Sequence, residues 1–369
     1  MKNRIACILS AIVLGCAFVV SPQSGRAQQP GPPADLTIDS ATRSAVIDLL
    51  LKELNETYVF PETAKKMETD IRARVAANEY DSVTSARGFA EKLTADLQSV
   101  SKDKHLKVKY SYDVLPTRQD RREPTEAEIE QNRWFNRRVN YGFEKIERMN
   151  GNIGYIDLRG FNDEKAGAET VAAAMTFLQN TEALIFDLRQ NGGGNPAMIA
   201  HISSYLFGDK PVHLNDLYWR KENKTDEFWT KPESAKTKFT DKDIYVLTSN
   251  YTFSGAEEFT YNLKNLKRAT IIGETTGGGA HPGSMVRLAD HFGAFVPVGR
   301  AINPISKTNW EGTGVEPDIK VSKEQALKTA YLMALNKSVG GLKDENMKTG
   351  VKRLIAQTQK ELDELKVKK

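Results

Sequence analysis

The sequence predicts an α/β fold, with a mostly parallel core sheet, flanking helices and a small three-helix unit in front. Two observations carry this. From residue 164 onward, helical and strand-like segments alternate in the order expected of a parallel sheet. Before that, from Asp39 to Ser101, apolar residues recur at helical spacing. At 369 residues the chain is long enough to bury such a core without staples.

The first 27 residues read as a secretory signal. Lys2 and Arg4 precede an apolar run from Ile5 to Val20, and a polar stretch ends at Gly25-Arg26-Ala27. The run is too short and wrongly flanked for a spanning helix. Cys16 lies in a weak lipid-attachment pattern, but apolar Ala17 to Val20 follow it directly, which favours cleavage after Ala27 over lipidation. Removing Lys2, Arg4 and Arg26 brings the formal charge from +4 to +1. No basic patch then remains for nucleic acid or an anionic membrane, and no stable membrane insertion is expected after signal removal. Cys7 and Cys16 are the two cysteines. A mature chain would have no thiol, which excludes disulfides, thiolate catalysis and cysteine zinc sites. The pattern implies an exported protein, periplasmic or secreted.

Residues 28–38 form a linker, Pro- and Gly-rich at its start. Within the helical unit, residues 39–105, three apolar faces appear: Ala45, Leu49, Leu50 and Leu54; Ala64, Met67, Ile71 and Val75; Phe89, Leu93 and Leu97. Pro61 suits the start of the second helix, and Thr84 or Ser85 caps the third. In the connecting segment, residues 106–140, Lys107 to Tyr112 alternates like a strand and Glu126 to Arg138 reads as a polar helix. Phe143–Met149 and Ile153–Leu158, joined by Asn150-Gly151-Asn152, read as a hairpin. Then come helix 164–179, strand 183–188, a glycine loop, helix 196–207, strand 244–248, helix 254–267 and strand 270–272. Segments 326–335 and 352–367 are helical, within a C-terminal region spanning residues 322–369.

The segment Tyr245 to Phe259 is the most informative. A buried strand runs into a tight turn that puts Ser254 at the first turn of an amphipathic helix, beside free N–H groups and the positive helix end. A nucleophilic serine needs those surroundings. The competing reading is local: Ser254-Gly-Ala-Glu257 also fits a capping box. Upstream, Asp187-Leu-Arg-Gln-Asn-Gly192-Gly193-Gly194-Asn-Pro196 leaves bare amides between a strand and a helix, suited to an oxyanion. The loose Gly-x-Gly-x-x-Ala form of Gly192, Gly194 and Ala197 also permits a dinucleotide. Against that stand Pro196 inside the motif and the lack of a suitably spaced strand ending in an acidic residue. A glycine turn with no ligand is the plainest alternative.

For a base, Asp103-Lys-His105 offers one histidine. His281 and His291 sit in loops downstream of the serine and remain candidates. His201, within a helix, and His213, in an edge-like strand, rank lower. Glu311, in Trp310-Glu-Gly-Thr-Gly-Val-Glu-Pro-Asp318, offers a carboxylate that would hold a histidine tautomer.

Four of these pieces together resemble one family. Asp187-Leu-Arg-x-Asn-Gly-Gly-Gly194, Phe253-Ser-Gly-Ala-Glu257, Gly273-Glu-Thr-Thr-Gly277 and Glu311-Gly-Thr-Gly-Val-Glu-Pro-Asp318 are similar to the tail-specific, or C-terminal-processing, serine peptidases. The tricorn protease core and interphotoreceptor retinoid-binding protein are relatives. The resemblance implies a ClpP/crotonase-like core at residues 141–321 and a serine endopeptidase acting on protein or peptide substrates. Its nucleophile would be Ser254, its base His105 and its orienting carboxylate Glu311. Backbone N–H groups of Gly192, Gly193 and Gly255 would form the oxyanion hole, with no metal or cofactor. The segment after Gly273-Glu-Thr-Thr holds glycines where Ser/Lys members carry lysine, so a lysine dyad is not implied. Residues 106–140 are too few for the PDZ module those members carry. Segments around His281, Phe295 and Trp310 also resemble the retinoid-binding branch, which implies the alternative of a catalytically silent carrier for a hydrophobic ligand or peptide. Nothing in the pattern specifies an oligomeric state.

Overall fold

The computed structural model describes residues 35–117 and 125–367; the signal reading, Cys16 and most of the linker lie outside them. Residues from Asp35 onward form one compact unit. Helix α1 (Ser40–Thr57) buries the expected Leu50 and Leu54 together with Val46, Ile47 and Leu51, while Ala45 and Leu49 face outward. Helix α2 (Pro61–Ala76) buries Ala64, Met67 and Ile71 but leaves Val75 exposed, and α3 (Ala86–Ser101) buries Phe89, Leu93 and Leu97 as expected. Asp39 and Ser85 cap α1 and α3 by accepting from Thr42 and Gly88 N–H, and Pro61 opens α2.

Strand β1 (Lys107–Tyr110) and helix α4 (Glu126–Arg138) lead into the hairpin β2 (Phe143–Met149) and β3 (Ile153–Leu158). Then follow α5 (Glu164–Leu178), β4 (Ala183–Asp187), α6 (Pro196–Ser203), β5 (His213–Trp219), β6 (Lys224–Trp229), β7 (Asp243–Thr248), α7 (Gly255–Asn265) and β8 (Thr270–Gly273). The chain continues through β9 (Gly283–Ala289), β10 (Phe292–Pro297), β11 (Gly299–Ile302), β12 (Ile319–Lys320), α8 (Lys323–Ser338) and α9 (Glu345–Val367).

The central sheet has the order β12-β8-β7-β4-β3-β2. Its strands are parallel except β2, which pairs antiparallel with β3. Alternation along each strand feeds two cores. Leu184, Phe186 and Val246 face α5, α6 and α7, whereas Ile185, Tyr245 and Leu247 face α8 and α9. Both faces are therefore covered, and the inner strands read as unbroken apolar runs.

Two small antiparallel sheets complete the fold: β1-β10-β9 and β11-β5-β6. The first shares a core with α1, α2 and α3, where Phe89, Leu97, Val108, Phe292 and Val296 are buried together. The helical unit thus packs on a hairpin that follows the glycine-rich segment after β8. His213 lies on β5, which is the middle strand of its sheet and not an edge. No helix among the described residues is long and apolar enough to cross a membrane.

Candidate active site

Strand β7 delivers the chain into a turn, Ser249–Phe253, that is laced to the loop after β4. Ser249 and Thr252 hydroxyls donate to the carbonyls of Arg189 and Leu188 at 2.6 and 2.8 Å, and Phe253 N–H donates to Asn191 O at 3.1 Å. Ser254 then adopts φ 54°, ψ −120°. An L-residue pays a steric cost there, and only surrounding structure holds it. A plain helix cap takes an extended backbone, so capping alone does not account for this geometry. Glu257 supplies its half of the capping box by accepting from Ser254 N–H at 2.8 Å. It is fully buried and also accepts from Thr276 Oγ1, Gly278 N and Gly279 N, tying the Ser254 turn to the loop after β8.

The glycine loop packs directly on the serine. A Cβ on Gly193 would lie 2.9 Å from Ser254 Cβ and 2.7 Å from Gly255 N, and Gly193 itself sits at φ 111°. One expectation is corrected here. The Gly193 N–H donates to Asn191 Oδ1 at 2.8 Å, and Asn191 Nδ2 donates to Leu158 O. Asn191 folds back over the loop, so Gly193 is not a free donor. Gly192 is exposed with open space beside it, and the Gly255 amide stands at the first turn of α7.

His105 arrives from the other side. Helix α3 ends on Lys102 in the left-handed region, and Asp103 Oδ1 accepts from His105 N–H at 3.0 Å, turning the chain into β1. The imidazole lies against Phe253, with ring centroids 4.6 Å apart, and stacks on Phe295 of β10 at 5.9 Å. Burial pulls its pKa down to about 4, so the ring is neutral at neutral pH. Its Nδ1 is buried and has no partner among the described residues.

Glu311 reaches the same loop from the segment before β12. Its Oε2 accepts from Ala280 N–H, and it lies 3.4 Å from His281 Nδ1. His281 Nδ1 is in turn 2.8 Å from Asp103 Oδ2, which also accepts from the Tyr58 hydroxyl at 3.1 Å. Burial first, and the Asp103 charge second, push the Glu311 carboxyl up to about 7. Its Oε1 is buried without a partner among the described residues. The loop from Thr276 to His281 therefore touches all three expected triad members, through Glu257 for Ser254, Gly279 for His105 and Ala280 for Glu311. The His105–Glu311 hydrogen bond is not made in this conformation, since His105 Nδ1 has no partner. Donor atoms of Asp103, His281 and Glu311 lie within 4.8 Å of one another, close enough to share a cation.

The other histidines are engaged elsewhere. His201 is buried in α6 against Tyr205, His213 stacks on Trp229 beside Asp216, and His291 bonds Ser111 O at the β9–β10 turn. The sequence reading missed Tyr58 and the joining of Asp103 to His281 and Glu311. It took Glu257 only as a cap. Asp103-x-His105 was the one local hint.

Residues 152–321 match the model of peptidase family S41, and residues 37–144 match the N-terminal domain of S41 peptidases described for eukaryotic IRBP. The chain belongs to peptidase family S41. His105 falls within the matched S41 N-terminal region, whereas Ser254, the glycine loop and Glu311 fall within the S41 peptidase region. Among curated S41-type relatives, carboxyl-terminal-processing peptidase 1 of Arabidopsis thaliana is 27% identical over 190 residues, covering 49% of this chain and 36% of the relative. Carboxyl-terminal-processing peptidase 2 of the same plant is 31% identical over 172 residues, covering 46% and 32%. The chain thus spans about a third of the length of these relatives. A solved structure from Parabacteroides merdae ATCC 43184, described as a candidate peptidase, has a similar fold. It has a TM-score of 0.57 and 17% identity, covering 79% of this chain and 96% of that one.

Proposed function

We propose that this S41 chain is an exported serine endopeptidase that hydrolyses peptide bonds in protein or peptide substrates. The observation that carries the reading is Ser254 held at φ 54° against a glycine loop, with the neutral His105 ring packed on the residue before it. The Ser254 hydroxyl attacks the peptide carbonyl while His105 takes its proton. The oxyanion forms beside the Gly192 and Gly255 amides, and Gly193 shapes the loop. Collapse returns that proton to the leaving amine and leaves an acyl-serine ester. Water, deprotonated by His105, then releases the acid and restores the serine. Glu311 orients the ring and balances the imidazolium. No step calls for a metal or cofactor.

Ser254→Ala should abolish cleavage of an unstructured peptide substrate while leaving the unfolding temperature unchanged; undiminished turnover in that variant would end the mechanism. Export rests on the residue 1–27 pattern and is tested by the N-terminal sequence of the secreted or periplasmic form, expected to begin at Gln28. The open His105–Glu311 bond favours one second reading, a silent carrier for a hydrophobic ligand or peptide. That reading predicts binding without turnover in the unmodified chain.

A further inference from the structure

His281 takes no part in the proton transfers above, yet it sits at the centre of a buried charged cluster. Asp103 is fully buried and surrounded by donors: Oδ1 accepts from His105 N–H, and Oδ2 from the Tyr58 hydroxyl. With Asp103 accepting here as it does from His105 and Tyr58, the 2.8 Å contact to His281 places the hydrogen on Nδ1. The same Nδ1 faces Glu311 Oε2 at 3.4 Å. Two buried carboxylates in one site oppose each other's ionisation unless donors stand between them. The edge-on contact of Phe60, at 5.2 Å between ring centroids, fixes the imidazole from its other side.

This arrangement disposes of one Glu311 oxygen and leaves the other. Oε2 is held by Ala280 N–H and His281, while Oε1 is buried and unpartnered. His105 Nδ1 is the matching unpartnered atom on the histidine side, and Asp103 holds that residue's backbone. A carboxylate oxygen and a ring nitrogen are complementary once that nitrogen carries hydrogen.

We propose that His281 is a positioning residue for this reaction: by bridging Asp103 and Glu311 it keeps the Glu311 carboxylate ionised and turned so that Oε1 is free for His105 Nδ1–H. The role rests on the peptidase reading and extends it to a second histidine. The charged and titratable groups facing the bridge are Tyr58 from the α1–α2 connection, Asp103 and His105 before β1, Glu257 on α7 and Glu311. Arg300 on β11 reaches it across the Phe60 ring, and Lys102 after α3 and Lys307 after β11 line the same cleft.

The test compares His281→Leu and His281→Asn in the full chain, on a peptide that the unmodified chain cleaves. The Leu variant should keep KM, lose on the order of tenfold or more in kcat, and move the acidic limb of its pH profile upward. The Asn variant, whose amide N–H can stand where Nδ1–H stood, should recover most of the rate and return the limb. A folded Leu variant with unchanged kcat and limb would overturn the role. So would a loss that Asn fails to recover and that tracks thermal stability. Should the Leu variant not fold, nitrogen NMR of the unmodified chain reads the His281 tautomer directly: hydrogen on Nδ1 supports the bridge, and hydrogen on Nε2 alone contradicts it. An unmodified chain inert to peptides and to serine-directed probes overturns the peptidase reading itself, which is a separate outcome from an active chain indifferent to His281.

Discussion

The imidazole of His105 lies 4.6 Å, centroid to centroid, from the ring of Phe253, the residue that immediately precedes Ser254. This contact joins the helical N-terminal region to the Ser254 turn without a hydrogen bond. Packing therefore sets where the histidine stands, and the Asp103 and Glu311 carboxylates act around it.

Gly279 is the floor of that packing. A Cβ there would meet His105 Cε1 at 2.6 Å and the Phe253 ring at 2.3 Å. Gly279→Ala must displace one ring or both. We expect kcat/KM to fall about a hundredfold, as a displacement near 1 Å does, with a stability loss of about 1–3 kcal/mol from overpacking. Peptide kinetics beside a urea titration separate the two effects.

The acidic limb of the pH profile should report Glu311 and not His105. Burial holds His105 near 4, so its neutral form is present well below neutrality. Glu311 loses its proton only near 7. The mechanism needs both the neutral imidazole and the ionised carboxylate, so kcat/KM should rise through about pH 7. In Glu311→Gln that limb should vanish along with most of the rate. A wild-type limb near pH 4 would mean that Glu311 is not required in its ionised form.

Glu258, one residue along α7 from the site's Glu257, gives a stability test. It is wholly buried, and desolvation pushes its carboxyl up to about 8 from an ordinary 4.5. The folded value lies above the unfolded one, so the native state holds the proton between these values while the unfolded state has released it. Stability therefore declines as pH rises from about 4.5 to 8 and is flat above, with a slope from this group approaching 1.4 kcal/mol per pH unit at most. Glu258→Gln should remove that decline, so that its stability gain over wild type grows from pH 5 to pH 9. Denaturant titrations at the two pH values measure it.

Asn191 tests the glycine loop. Its side chain is buried and holds Gly193 N–H and Leu158 O. Asn191→Ala leaves both without that partner, at about 1–3 kcal/mol in stability. Because the loop also shapes the proposed oxyanion site, kcat should fall by roughly tenfold or more while KM changes little. Unchanged kcat would separate the loop from the chemistry.

The core sheet was legible because strands buried on both faces, such as β4 and β7, read as continuous apolar runs between helical periods. The hairpin β2–β3 was equally plain from its Asn-Gly-Asn turn. Strand β5 was read only as an edge at His213, and strands β6, β9 and β11 were not recognised. Their partly exposed residues, such as Lys224, Asp226, Ser284 and Arg287, break the two-residue alternation. Ser254 and the glycine loop announced themselves through local grammar. The Asp103–His281–Glu311 cluster did not, since its members are 178 and 30 positions apart and meet only when β9 and β10 pack on the helical unit. The Gly193 error had a similar cause: whether an asparagine folds back onto its own loop is a tertiary outcome.

The proposed chemistry stands or falls on Ser254 being an activated nucleophile with His105 as its base. Fluorophosphonate labelling, mapped by mass spectrometry on the folded chain, tests it most directly. Modification is expected at Ser254, abolished by heat denaturation and slowed severalfold or more by His105→Ala. A folded chain whose Ser254 stays unmodified, or labels equally fast without the His105 imidazole, would contradict it.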